Sequence, residues 1–356
     1  MRQRTLGRTG LGTSEIGFGT WGIGNTSWIG AEDQTSVRAL MAARDAGINF
    51  FDTALVYGRG HSERLLAKVF GRSEEILIAS KVPPKNELWP APSRIPLRDV
   101  FPKWHVLECL RKSLANLQRK SIDLYQFHVW SDEWADDPQW LETVEEIRRS
   151  GQVRFIGISI NDHQPTNILK ALATGLIDSV QVIYNVFDQS AEDELFPYCQ
   201  THDIGVIARV PFDEGGLTGA IHPGVNFPAG DFRNRYFAGK RKKQVWERVQ
   251  RLTSDADIQL PELPDLALRF CLSHGAVATV IPGMRTPSHV HSNVASSDGE
   301  PLPDQLLSSL HEHRWNRNFY DSPVTWEVRV RGRVRLAAQR ILPPELILKF
   351  REKPQA

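Results

Sequence analysis

DQTSVRALMAARDAGINFFDTALVYG, residues 33–58, holds one full repeat of the pattern that sets the fold. Over 33–47 the apolar residues recur at spacings of three and four, the period of a helix, and Gly47 marks its stop. INFFD (48–52) then runs apolar almost throughout and ends on a carboxylate. A loop carrying Tyr57 follows. Working outward, similar short apolar runs stand at EIGFG (15–19), ILIASK (76–81), IDLYQFH (122–128), VRFIGIS (153–159), DSVQVIY (178–184), IGVIARV (204–210) and VATVIP (277–282). Helical stretches lie between them, among them 106–118 and 264–275, the latter with Gly275 as its stop. Strands that are apolar rather than alternating are buried on both faces, as in a parallel sheet covered by helices. Eight such units predict a closed (β/α)8 barrel, the TIM-barrel arrangement, with a doubly wound open sheet as the competing one. The first fourteen residues, with Gly7, Gly10 and Gly12, read as a β-hairpin plugging the bottom of the barrel. We expect one domain over 1–322. Residues 323–356 form a basic tail with eight Lys/Arg against three Glu, read as a docked arm or edge strand or as a contact for a partner.

The bulk composition narrows the classes. A formal net charge of +1 argues against nucleic acid and against an acidic membrane surface. Cys109, Cys199 and Cys271 are far apart and odd in number, which suits a reducing compartment. No apolar run approaches the ~20 residues of a membrane span. A cytoplasmic protein is expected.

A barrel of this kind does its chemistry where the βα loops gather, at the C-terminal ends of the strands. Reading those ends gives Asp52, Lys81, His128, Ser159 with Asn161, Gln181, and Arg209, with Tyr57 in the loop after the second strand. Charged groups at three neighbouring strand ends are costly to bury singly and make sense as partners. Carbonyl reduction needs such a set. When hydride reaches the carbonyl carbon, the oxygen must receive a proton. Tyr57 can give it, Lys81 beside the phenol lowers its pKa, Asp52 keeps the ammonium charged and oriented, and His128 donates to the oxygen.

These same residues lie in motifs that resemble the aldo-keto reductases. FDTALVYG (51–58), ILIASKV (76–82) and IDLYQFHVW (122–130) carry Asp52, Tyr57, Lys81 and His128 in the matching places. GFGTWGIG (17–24) resembles that family's first-strand motif, VRFIGISIND (153–162) its fifth-strand motif, and IPGMRTPSHVHSNVA (281–295) its phosphate-binding end. The resemblance runs from about residue 3 to about residue 320. It implies an oxidoreductase that binds NADPH/NADP+ across the barrel mouth and reduces an aldehyde, ketone or sugar carbonyl. It implies cofactor contacts from Gly19, Thr20, Trp21, Asp52, Ser159, Asn161, Gln181, Gly216, Leu217, Gly283, Arg285 and Asn293. Within these, Ser159, Asn161 and Gln181 take the carboxamide, Arg285 the 2′-phosphate, and Asn293 the adenine side. DEGGLTG (213–219) resembles the family's pyrophosphate loop, with backbone N–H groups at Gly215 and Gly216 turned to the anion. The long loop to Phe237 is expected to fold over the cofactor. Three positions depart from the family's pattern. Arg209 stands where an aromatic usually stacks on the nicotinamide and is expected to contact the cofactor there through its guanidinium plane, Ile160 separates Ser159 from Asn161, and Ser292 replaces a glutamate.

Trp21, Trp89, Trp130 and Phe212 fall in loops at the mouth and are candidates for a wall around an apolar or aromatic carbonyl substrate. GFGTWG (17–22) fits the dinucleotide fingerprint, but no helix starts at once behind it, so a Rossmann fold is rejected. His289/His291 and His311/His313 are spaced so that they point apart on a helix, and no metal site is expected. Two rival functions remain open. A cofactor-binding regulatory subunit with little turnover would use the tail, and a barrel isomerase or aldolase would use Lys81 as a Schiff-base amine.

Overall fold

A computed structural model describes residues 1–315 and 317–319. Residues Met1–Arg317 form one compact unit. The basic tail, 323–356, lies outside the described residues, as does any contact it makes.

The chain opens with an antiparallel hairpin, β1 (Gln3–Thr5) and β2 (Gly12–Ser14). Eight parallel strands follow: β3 (Phe18–Gly19), β4 (Phe50–Asp52), β5 (Leu77–Val82), β6 (Ile122–Phe127), β7 (Val153–Ser159), β8 (Ser179–Ile183), β9 (Gly205–Arg209) and β10 (Val277–Val280). Each pairs with its sequence neighbour from β3 to β10. The two ends of the sheet meet through parallel bridges Ile16↔Val280 and Gly19↔Gly283. Gly17 N–H donates to Val280 C=O at 2.8 Å and Gly19 N–H to Pro282 C=O at 3.0 Å. The sheet therefore closes into a (β/α)8 barrel. A side chain at Gly19 would strike the Ile281 carbonyl oxygen at 2.8 Å, so the seam needs glycine there.

Helices cover the outside in chain order: α1 (Asp33–Asp45), α2 (His61–Phe70), α3 (Leu97–Val100), α4 (Lys103–Leu117), α5 (Pro138–Arg149), α6 (Leu169–Ala173), α7 (Leu195–Thr201), α8 (Arg233–Tyr236), α9 (Arg241–Asp255), α10 (Leu263–Ser273), α11 (Pro287–Ala295) and α12 (Asp304–His311). The read helix periods fall on α1, α4 and α10. Gly47 does stop α1 in the left-handed region, at φ +89°. Gly275 does not play that part; α10 ends at Ser273, and its C-cap His274 already turns extended.

Phe50, Leu77, Ala79, Leu124, Ile207, Ala278 and Ile281 fill one buried core with Leu6 and Leu11 of the hairpin turn. Gly7 sits so close to β9 that an added Cβ would lie 2.3 Å from Gly205 N, and its φ of +47° favours glycine as well. The hairpin thus seals one end of the barrel and leaves the other to the loops. Among the described residues, no helix is long and apolar enough to cross a membrane.

Candidate functional site

β4, β5 and β6 are in register so that their last inward positions face one space: Asp52 pairs with Ala79, and Lys81 with Gln126. Lys81 is fully buried. Its Nζ donates to Asp52 Oδ2 at 2.6 Å, to the Thr53 carbonyl oxygen at 2.9 Å and to Tyr57 Oη at 3.4 Å. All three ammonium protons have an acceptor. Burial lowers the Lys81 pKa, and the Asp52 carboxylate works against that. The Tyr57 and His128 rings stand edge to face with centroids 5.7 Å apart, and the Trp89 ring lies 4.6 Å from His128 on another side. The structure brings Asp52, Tyr57, Lys81 and His128 together.

The direction of the Tyr57 shift corrects the sequence argument. Lys81 was expected to lower the phenol pKa. Burial, then the Asp52 carboxylate, instead push it well above its ordinary value, with Arg209 opposing and Glu214 and Asp162 adding to the rise. The phenol holds its proton. His128 moves down, well below the usual imidazole value, through burial and then the charges of Lys81 and Arg209. It is a neutral ring near pH 7.

The supporting residues hold several surprises. Asp52 Oδ1 accepts from Gln181 Nε2 at 2.7 Å and from Gln126 Nε2 at 3.5 Å. Gln181 thus spends its amide N–H on Asp52, across the barrel, while its Oε1 accepts from Ser159 Oγ at 3.5 Å. Gln126 was not singled out from the sequence. It lies two residues before His128, so strand alternation puts it on the same face, and that signal could have found it. Asn161 is turned away from its expected part. Its Oδ1 accepts from Ala91 N–H at 3.2 Å, and its Nδ2 donates to Ala91 C=O at 3.2 Å and Gln164 Oε1 at 3.1 Å. The reason is length: β7 ends at Ser159, and Ile160 puts Asn161 two residues past the strand, in the loop. Asn161 is a clamp on the loop after β5. Thr20 is likewise fully buried, its hydroxyl donating to the Asp52 carbonyl oxygen at 2.8 Å. Arg209 donates through Nη2 to Ile160 C=O at 2.8 Å and to Asp162 Oδ1 at 2.6 Å.

Among the proposed wall residues, Trp130 is corrected outright. It is fully buried, and its ring packs on Phe127, Trp134 and Trp140, so it fills the layer between barrel and helices. Trp89 is 40% exposed beside His128. Trp21 is half-buried, its centroid 6.3 Å from Tyr57. Phe212 is half-buried where β9 gives way to its loop. There the N–H groups of Gly215 and Leu217 both return to the Phe212 carbonyl oxygen at 2.9 Å, so the Gly215 N–H is spent inside the loop. Gly216 is buried, with no room for a Cβ because Asp213 Oδ2 would lie 2.6 Å away. Asp213 itself is buried against Arg317 and Tyr236.

At the far side of the mouth the loop after β9 crosses to the loop after β3. Phe232 N–H donates to Ser27 C=O at 2.7 Å, and Ile29 N–H to Asp231 Oδ2 at 3.1 Å. The Phe232 ring lies 5.2 Å from Trp21, and the Arg233 guanidinium 4.2 Å from the Trp28 ring. Arg285, beyond Gly283, donates through Nη2 to Ile29 C=O at 3.1 Å. Its pKa is lowered by burial and then by Arg233, only partly offset by Asp231. Asn293 is buried on α11, and its Nδ2 has no hydrogen-bond partner among the described residues. Arg233 already holds Asp231 through Nε and Nη2 at 2.8 Å each, and that carboxylate is the acidic group whose charge also acts on Arg285. Such a place is short of negative charge and of an acceptor, which fits a phosphate-bearing ligand.

Comparison with known proteins gives the same direction. The model of the Aldo/keto reductase family matches residues 15–314. The aldo-keto reductase YhdN of Bacillus subtilis (strain 168) is 29% identical over 301 residues, covering 82% of this chain and 87% of that one. The NADH-specific methylglyoxal reductase of Escherichia coli (strain K12) is 26% identical over 321 residues, covering 83% and 93%. Among solved structures, an aldo-keto reductase from Bacillus halodurans in its holo form superposes with a TM-score of 0.69 at 29% identity, covering 90% of this chain and 100% of that one. With a closed barrel, four groups converging at its mouth and a family match over most of its length, this chain belongs to the aldo/keto reductase family of oxidoreductases.

Proposed function

We propose that the barrel of residues 1–322 is an NADPH-dependent carbonyl reductase that takes an aldehyde, ketone or sugar carbonyl to the alcohol, with Tyr57 as the proton donor. The observation that carries this reading is the Lys81 ammonium held at once by Asp52, by the Thr53 carbonyl and by Tyr57 Oη. When bound, the nicotinamide supplies a hydride to the carbonyl carbon. Everything else falls to the chain. Tyr57 stays protonated at working pH because burial and Asp52 hold its pKa high. Its proton leaves as negative charge builds on the substrate oxygen, and the ammonium 3.4 Å away compensates the phenolate that remains. Neutral His128 offers a ring N–H to the same oxygen without bringing a competing charge. Asp52, fixed by Gln181, keeps Lys81 ionised and aimed.

Arg285, with Asn293, would hold the adenosine end. The positive excess beside Arg233 favours a 2′-phosphate, and hence NADPH over NADH. Trp21 and Trp89 would flank the carbonyl substrate, while Asn161 positions the Ala91 loop. Schiff-base chemistry at Lys81 is disfavoured, since a lysine with three acceptors and a carboxylate at 2.6 Å has no free amine lone pair. The test is NADPH consumption by the full chain against a panel of aldehydes and ketones, with Tyr57→Phe beside it. Turnover that collapses in Tyr57→Phe, with nucleotide still quenching tryptophan fluorescence, is the expected result. Equal turnover in the two proteins would overturn the assignment of the acid.

A further inference from the structure

Behind the four groups at the mouth lies a line of buried hydroxyls that the reaction as described does not use. Thr20, Thr53 and Ser62 are all fully buried. Thr53 Oγ1 and Ser62 Oγ are 2.9 Å apart, Ser62 Oγ donates to Thr20 Oγ1 at 2.6 Å, and Thr20 Oγ1 donates to the Asp52 carbonyl oxygen at 2.8 Å. A hydroxyl has one proton to give. Thr20 gives its proton to Asp52 and Ser62 gives its own to Thr20, so Thr53 must be the donor to Ser62. The chain therefore has one direction, from Thr53 through Ser62 and Thr20 to the Asp52 carbonyl. It begins and ends on two of the three residues that present acceptors to Lys81: the carboxylate of Asp52 and the carbonyl of Thr53. Ser62 has a second hold. Its backbone N–H, free because it lies in the first turn of α2, donates to the Tyr57 carbonyl oxygen at 3.3 Å. One residue thus ties the peptide that aims the lysine to the backbone that carries the phenol.

We propose that Ser62 is a positioning residue for proton transfer, which sets the Lys81–Tyr57 geometry through Thr53 and Thr20 and touches neither substrate nor cofactor. The proposal rests on the reading of Tyr57 as acid and Lys81 as its partner. Small displacements at such a pair cost rate far more than binding, because the ammonium acts on charge that appears only in the transition state.

Two changes test it, on the full chain. Ser62→Ala removes the central hydroxyl, and Thr53→Val removes the first donor at constant shape. Each is expected to lower kcat by about tenfold or more, to leave KM and the nucleotide Kd within about twofold, and to shift the pH profile of kcat. Thr53→Ser, which keeps the donor, is expected to restore both kcat and profile. A crystal structure of Ser62→Ala is expected to show the Lys81 Nζ to Tyr57 Oη separation changed from 3.4 Å. Unchanged kcat and profile in a folded Thr53→Val protein would overturn the proposal. So would equal losses in kcat and nucleotide affinity, or an unmoved Lys81 in the Ser62→Ala structure. Tyr57→Phe, run in parallel, separates the two levels: if it keeps turnover, the acid assignment itself has failed.

Discussion

Replacing Lys81 by methionine keeps most of the side chain's volume and removes only its charge. The structure sets two separate magnitudes for the loss. The first concerns stability. Asp52 is almost fully buried, and its Oδ2 loses a partner at 2.6 Å, keeping only the two glutamine amides on Oδ1. Breaking a buried pair from one side leaves an uncompensated charge and costs about 3–5 kcal/mol. The second concerns rate. A full charge on Tyr57 Oη, 3.4 Å from the ammonium, is worth about 5 kcal/mol at an effective dielectric constant of about 20. With half that charge developed in the transition state, the loss is about 2.5 kcal/mol, or about 10²-fold in kcat. Urea unfolding reads the first quantity, and NADPH consumption with a substrate from the carbonyl panel reads the second. The double variant Asp52→Asn/Lys81→Met separates them, since it removes the stranded carboxylate without returning the ammonium. Most of the stability should come back, and none of the rate. A Lys81→Met protein within about 1 kcal/mol of the parent would refute the buried-pair argument. A double variant that regained kcat would refute the role given to the ammonium.

Arg285→Ala should weaken NADPH binding by about 10–100-fold, the worth of a charge-assisted bond to phosphate, and NADH binding much less. Tryptophan quenching with the two nucleotides measures this, and equal losses would dismiss the 2′-phosphate contact. Glu214, held in the left-handed region at φ +56° on the loop after β9, has its carboxyl pushed up to about 8 by burial and by Asp162 and Asp213. Its folded pKa is raised, so the folded state binds the extra proton between the unfolded value near ~4.3 and about 8, and stability falls as pH rises through that window. Glu214→Gln should therefore gain more stability at pH 8 than at pH 5, by about 1 kcal/mol or more. Unfolding curves with the same difference at both values would show that the carboxyl is not so shifted.

How much of this could be read from the chain itself depends on how far each contact reaches. The strands were legible because a parallel barrel buries both faces of each, and runs such as INFFD and VRFIGIS can hardly be anything else. The meeting of Asp52, Lys81 and His128 was legible for a related reason. They end adjacent strands, and adjacency in a barrel follows chain order. Legibility stops where a side chain has several possible partners across the barrel. Gln181 lies in the middle of β8 and Asp52 ends β4, 129 positions apart, and only the curvature of the closed sheet decides that the amide reaches the carboxylate at 2.7 Å. Asn161 fails for a smaller reason, the single residue Ile160, which moves it from strand end to loop and commits its amide to Ala91. The Tyr57 shift fails because a sequence counts neighbours and does not measure burial. Lys81 was the visible charge, while desolvation and the Asp52 carboxylate, which dominate, appear only in three dimensions. The belt from Asp231 and Phe232 to Ser27 and Ile29 joins two loops with no periodic pattern at all. What is legible is thus the part fixed by periodicity and strand order. The part fixed by hydrogen-bond choice is not, and in this chain that part includes Thr20, Ser62 and Thr53, which hold the legible residues at their working distances.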